Sequence, residues 1–154
     1  MALKFTVSTG LVALAAAATR VAIQLATTST VSNTIIGFDV SFDSVATGAG
    51  AVPIRVELVR EAGASNTTGT APTPTKWYKA TAASVTTARI NDTVDGASPT
   101  IIASWLVSPT SGLSYQFPLG RELMMDVSDF LALRLTSQTG MTTCNYECNL
   151  HYEE

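Results

Sequence analysis

Histidine, cysteine and charged residues, which supply most catalytic and metal-binding groups, are scarce in this chain. Its 154 residues include one histidine and two cysteines, and only 14% are Asp, Glu, Lys or Arg, about half the usual charged share. It lacks a Gly-x-Ser-x-Gly element and a phosphate-binding glycine loop followed by lysine. The one histidine, His151, stands beside Glu153 and Glu154 on the solvent side of a predicted strand, which suits catalysis poorly. We therefore predict neither an enzyme nor a bound cofactor.

Basic clusters and long apolar runs are also missing. The formal net charge is −3, and the first 26 residues contain only Lys4 and Arg20 as basic residues. Since non-specific nucleic-acid binding depends on neutralising several phosphates, we expect no nucleic-acid partner. The apolar run at residues 11–18 imitates the core of a secretory signal, but eight residues are too few to span a bilayer. We expect no membrane partner, and we interpret residues 1–18 as an N-terminal arm or edge segment.

The two cysteines are predicted to be structural. Cys144 and Cys148 are four residues apart, so on one strand they share a face and lie roughly 13 Å apart. That separation exceeds what a disulfide tolerates. A zinc site would need two more ligands, and His151 falls on the opposite face. We expect two small buried hydrophobes and no metal.

Alternating apolar and polar residues dominate the rest of the chain. At residues 36–43, Ile36, Phe38, Val40 and Phe42 alternate with Gly, Asp and Ser, and a similar alternation follows over residues 54–60. A period of two is typical of a strand with one buried face. It places Asp39, Asp43, Arg55 and Glu57 on the solvent side. Further strands are predicted at residues 4–8, 19–26, 77–82, 84–90, 100–107, 115–117, 130–137 and 144–152.

This rhythm predicts an all-β, single-domain, jelly-roll-like β-sandwich of about eight strands, over residues 19–154, with the N-terminal arm preceding it. The helix candidates are residues 11–18 and a single turn around residues 121–126. Residues 62–75 form the longest predicted loop, which we expect at the surface.

Three weak alternatives concern acidic or polar groups. Asp39 and Asp43 could act as paired carboxylates, and a hydrolase would bring them to His151 in one cleft. The loop at residues 91–96 resembles the start of a calcium loop but lacks the closing bidentate acid. Two glycosylation patterns, at residues 66–68 and 91–93, arise easily by chance in a Thr-rich chain.

Aromatic and apolar residues supply the candidate contact surface. Trp105 falls within an apolar strand and is expected in the core, whereas Trp77 and Tyr78 are divided between core, protein interface and a platform for sugars. With the arm included, the candidate interface residues are Phe5, Leu11, Leu14, Trp77 and Tyr78.

Four phrases together resemble the small jelly-roll decoration (cement) proteins of tailed-bacteriophage heads. They are TRVAIQLA at residues 19–26, IGFDVSFD at 36–43, PIRVELV at 53–59 and FPLGRE at 117–122. The four segments together make up about a fifth of the chain. Neither the Ala-rich run nor the cysteine-bearing strand has a match in that family.

The resemblance implies a non-enzymatic virion protein on the capsid exterior. Its partners would be the major capsid protein and itself, as a homotrimer. Binding energy would be spread over an interface, and many copies on one lattice would raise the overall affinity through avidity. The alternative from another class is a carbohydrate-binding or host-attachment β-sandwich module, which would expose Trp77 or Tyr78.

Overall fold

Strands make up most of the fold. A computed structural model describes residues 2–45, 48–64, 69–78 and 82–154. That part of the chain holds twelve strands and one 3₁₀ turn at Gly48–Gly50. The strands are β1 (Lys4–Ser8), β2 (Val12–Leu14), β3 (Thr19–Ala26), β4 (Asn33–Phe42), β5 (Ile54–Glu61), β6 (Thr75–Lys76), β7 (Thr87–Asp92), β8 (Thr100–Val107), β9 (Gly112–Gln116), β10 (Leu123–Met125), β11 (Phe130–Thr136) and β12 (Cys144–Glu153).

Two antiparallel sheets pack face to face, which confirms the predicted all-β sandwich, although the described residues form twelve strands and not about eight, because short strands such as β2, β6 and β10 add to the predicted ones. The larger sheet has seven strands in the order β10-β4-β12-β1-β6, with β9 also paired to β4 and β2 also paired to β12. The smaller sheet has five strands in the order β7-β3-β11-β5-β8. One core lies between them and contains the inward residues of both sheets.

Strand β12 shows how the alternation builds that core. Its residues are alternately buried and partly exposed along the whole strand, with Cys144, Tyr146, Cys148, Leu150 and Tyr152 inward. The predicted face is therefore confirmed. Both thiols are buried and free, and desolvation raises the pKa of each.

The N-terminal segment is part of the larger sheet and not an arm. Strand β1 lies between β12 and β6, and β2 pairs with the start of β12. Phe5 and Leu14 are fully buried, and the Phe5 ring stacks on Tyr152 with centroids 5.5 Å apart. The assignment of Phe5 and Leu14 to an interface is corrected, because the alternation of β1 and β2 turns both side chains into the core.

Both helix candidates are wrong. Within residues 11–18 the chain forms β2 and then a turn in which Ala17 has a φ of 51°, a value that a right-handed helix does not contain. Within residues 121–126 the chain forms β10, which pairs with β4 and buries Met125. Strands of three residues are too short for an alternation to reveal them.

The predicted strand at residues 77–82 is displaced. A two-residue strand, β6, precedes it, and Trp77 and Tyr78 lie in a bend. Residues 79–81 lie outside the described residues, as do residues 65–68, which contain the whole of the first glycosylation pattern.

The loop at residues 95–96 covers part of the outer face of the smaller sheet, which corrects the solvent-facing prediction for Glu57. Glu57 is 1% exposed, and its Oε2 accepts a hydrogen bond of 2.9 Å from Arg134 Nε. Arg134 also donates to Asp95 Oδ2 over 2.5 Å, and the Gly96 amide donates to Glu61 Oε1 over 2.8 Å. Residues 95–96 thus lie over this face. Burial raises the pKa of Glu61 more than its hydrogen bonds lower it.

Candidate interaction surfaces

Trp77 is exposed but firmly positioned. Its backbone amide donates to the Lys4 carbonyl over 3.0 Å, which fixes it beside β1. The indole Nε1 donates to Thr6 Oγ1 over 2.6 Å, and the ring lies edge-on to His151 with centroids 5.5 Å apart. Lys4 Nζ lies 5.6 Å from the ring centroid. Even so, 46% of Trp77 remains accessible to solvent.

His151 extends this polar anchor across the larger sheet. Its Nδ1 is 2.8 Å from Thr6 Oγ1, and its Nε2 is 2.9 Å from Asp39 Oδ2. An indole N–H can only donate, so Thr6 Oγ1 accepts from Trp77 and can give its own hydrogen to His151 Nδ1. The imidazole then donates from Nε2 to Asp39. The result is one directed chain of hydrogen bonds that crosses from β1 to β4.

Asp39 is held as a carboxylate at the end of that chain. Partial burial acts to raise the pKa of Asp39, but hydrogen bonds from Ser114 and His151, together with the histidine's charge when protonated, outweigh it and lower the pKa. These contacts keep Asp39 ionised, so that it accepts the hydrogen bond from His151 Nε2 and thereby orients the imidazole.

The hydrolase hypothesis required Asp39, Asp43 and His151 in one cleft. The structure joins Asp39 to His151 but not Asp43, whose Oδ1 and Oδ2 accept from the backbone and side-chain nitrogens of Asn145 over 2.6 and 2.8 Å. Asp39 and Asp43 therefore accept hydrogen bonds from different residues and do not form a carboxylate pair.

Tyr78 continues the exposed aromatic segment. Its side chain is 55% exposed and lines a cavity of about 610 Å³ together with Ala2, Lys4 and Glu153. This volume is within the range of small-molecule sites. We call Trp77, Tyr78, Lys4 and Glu153 the aromatic surface. It lies at the β6 edge of the larger sheet.

Leu11 is the remaining interface candidate that reaches solvent. It lies in the turn between β1 and β2 and is 66% exposed. Trp77 bonds to the opposite end of β1, so Leu11 is not part of the aromatic surface.

A second surface, which the sequence analysis missed, is formed by the outer edge of β8. Its residues Ile101, Ile102 and Leu106 are 49%, 42% and 65% exposed. Trp105 of the same strand turns inward and packs against Phe38 of β4 and Tyr115 of β9, at centroid distances of 5.3 and 5.1 Å. We call this strand edge, with its three exposed apolar side chains, the β8 edge.

The two surfaces are well separated. The inward Trp105 places β8 against β4 and β9, whereas the aromatic surface is beside β6 at the other edge of the larger sheet. Four strand spacings, roughly 19 Å, separate β9 from β6. A signal for the second surface was present in the sequence, because no Asp, Glu, Lys, Arg or His occurs between Asp95 and Arg121.

Among residues 2–45, 48–64, 69–78 and 82–154, no group of three His, Cys, Asp or Glu side chains could hold a metal ion. In the calcium-like loop, Asp92 and Asp95 instead face Arg89 and Arg134. No helix within these ranges is long and apolar enough to cross a membrane.

Comparison of the chain with protein-family models, curated proteins and solved structures gave no significant match. The likeness to phage decoration proteins therefore depends on the four sequence phrases.

Proposed function

We propose that this chain is a structural virion protein that decorates the exterior of a capsid lattice and stabilises it by binding, without catalysing a reaction. The observation that supports this best is the presence of two separate apolar surfaces on one sandwich, the aromatic surface and the β8 edge. A protein that links lattice subunits needs more than one contact surface, whereas a simple ligand-binding module needs one.

The aromatic surface is the proposed attachment site for the major capsid protein. Trp and Tyr are over-represented among residues that dominate interface energetics. The Trp77 ring is held by its bond to Thr6 and its contact with His151, so little side-chain freedom remains to be lost on binding. Many copies on one lattice would add avidity.

Attachment can be tested by co-expressing the chain with the major capsid protein of the same genome and sedimenting the assembled shells. We expect the wild-type chain to sediment with the shells. Trp77→Ala combined with Tyr78→Ala should weaken attachment by about thirtyfold or more, as loss of an interface anchor does. Leu119→Ala is the matched control, since Leu119 is 97% exposed and outside both surfaces.

Two outcomes would count against the proposal. Shells that never retain the wild-type chain would remove the capsid as its partner. Equal attachment of the double variant and the wild type, with unchanged circular dichroism, would remove the aromatic surface as the attachment site.

A carbohydrate-binding module is the second candidate, and the cavity beside Tyr78 favours it. An exposed aromatic ring next to Lys4 and Glu153 offers a stacking face with one donor and one acceptor group, the combination that a sugar ring uses. Titration with a glycan panel should then change tryptophan fluorescence in the wild type but not in Tyr78→Ala. Absence of any response, together with sedimentation on shells, would leave decoration as the function.

A further inference from the structure

The β8 edge presents unpaired backbone groups. Strand β8 has eight residues and, among the described residues, one partner strand, β5. Alternate N–H and C=O groups along its other side therefore point away from the sheet. Such an edge is a template for another strand, and proteins usually protect it with charge, proline or a covering segment.

The other sheet edges carry such protection or are short. Strand β7 is bridged by Thr70, which exchanges backbone hydrogen bonds of 3.0 and 2.9 Å with Ile90. Strands β2, β6 and β10 have three, two and three residues. Strand β9 has five and begins at Gly112. The β8 edge is thus the longest one left uncovered in the part of the chain that the structure describes.

Within β8 itself there is no proline and no charged residue. The one irregularity is a bulge at Ile102, opposite the step from Leu58 to Val59. It leaves residues 103–107 regular and able to pair.

We infer that the β8 edge pairs with the β8 edge of a second copy of this chain, antiparallel and around a two-fold axis, to join two five-stranded sheets into one. A strand edge must meet another strand with free backbone groups, and β8 is the longest such edge among the described residues. The charge-free stretch from residue 96 to 120 means that two copies meet there without like-charge repulsion, although each carries a net charge of −3.

This geometry yields a dimer and not the trimer that the family resemblance implies. A closed three-fold ring would require β8 to pair with a different edge of the next copy, and those edges are short or covered. The pairing needs only a second copy, so it does not depend on capsid attachment.

The first experiment measures mass in solution by sedimentation equilibrium over a range of concentrations. We expect the average mass to rise with concentration from that of one 16.1 kDa chain towards that of two. Leu106→Lys should weaken dimerisation by about a hundredfold, since it brings one lysine from each copy into the same joint. Leu11→Lys is the matched control, because Leu11 is 66% exposed and Leu106 65%.

The second experiment determines the pairing by cysteine crosslinking. Facing residues in an antiparallel pair have numbers that add up to one constant. Single cysteines at Ser104 and Leu106, both in the regular part of β8, should therefore crosslink best, alone or mixed, in the one combination whose sum matches the pairing. Cys144 and Cys148 are buried and should not interfere, and Leu11→Cys serves as the negative control.

Several results would overturn the inference. A strict monomer, a trimer without β8 crosslinks, or dissociation by Leu11→Lys but not by Leu106→Lys would each exclude β8 pairing. A monomer whose attachment to shells is lost in Leu106→Lys and kept in Leu11→Lys would assign the β8 edge to the capsid protein instead.

Discussion

The aromatic surface and the β8 edge expose apolar groups in different ways. At the aromatic surface, Trp77 is fixed by a polar chain through Thr6 and His151 to Asp39. At the β8 edge, position comes from the backbone ladder with β5, and residues 96–120, which include the exposed Ile and Leu side chains, contain no Asp, Glu, Lys, Arg or His. The first is organised by side chains, while the second is organised by the main chain.

The largest expected effect concerns the foundation of the aromatic surface. Phe5→Ala should lower the free energy of unfolding by about 3–5 kcal/mol, because it leaves a cavity beneath β1 and removes the stack on Tyr152. Leu11→Ala, in the exposed turn of the same segment, should change it by less than about 0.5 kcal/mol. Chemical denaturation of both variants measures the difference. Similar small effects would mean that residues 1–18 behave as a detachable arm.

That contrast also determines how attachment should be tested. Deleting residues 1–18 would remove β1 and β2, including Phe5 and Leu14 of the core, and would be expected to unfold the larger sheet. Loss of attachment in such a truncation would say nothing about a contact surface, so point substitutions are required.

A smaller effect is expected from the polar anchor. Thr6→Val removes the hydroxyl that links Trp77 to His151 and should cost about 1 kcal/mol of stability. The chain contains two tryptophans, so fluorotryptophan NMR gives one signal for Trp77 and one for Trp105. We expect the Trp77 signal to shift and narrow with increased motion while the Trp105 signal stays. An unmoved Trp77 signal would show that the backbone bend alone positions the ring.

The smallest effect is a change in acid sensitivity. Burial acts to raise the pKa of Glu154, but hydrogen bonds from Ser84, Thr86 and Val85 lower the pKa by more than burial raises it. The folded pKa therefore lies below the ordinary value. The resulting stabilisation is complete above the ordinary carboxyl pKa and is lost as the pH falls through the folded pKa.

Glu154→Gln should therefore flatten the loss of stability in this acidic range, measured by thermal unfolding against pH. Glu153→Gln, which removes one negative charge at the neighbouring residue, is the control. Equal flattening in both variants would attribute the effect to net charge. Dimerisation through the β8 edge should remain unchanged in either variant.

Sequence alternation predicted much of the fold because alternation and burial have the same cause. The bounds of β1, β3 and β8 agree with the predicted residues 4–8, 19–26 and 100–107, and the inward face of β12 was predicted in full. The pattern failed where it is too short, as in β2 and β10, or where a loop covers a polar face, as it does over Glu57.

The candidate surfaces were less predictable than the strands. Trp77 and Tyr78 were identified from residue type, and their exposure agrees with an interface assignment without testing it. Contact between Asp39 and His151 could not be foreseen, since it depends on β4 pairing with β12 from 112 positions away. The charge-free stretch around β8 is visible in the sequence, but that β8 is an edge follows only from the order of strands, which places it last in its sheet.

Strand order in the larger sheet has a consequence for folding. Strand β12, the last of the twelve, is inserted between β4 and β1, which are made much earlier. Until β12 emerges from the ribosome, β1 has no long partner, and the edges of β1 and β4 that β12 later pairs with remain open to wrong pairings. Folding dominated by such distant contacts is slow. Production of this protein should therefore depend on protection of the growing chain until its last strand closes the sheet.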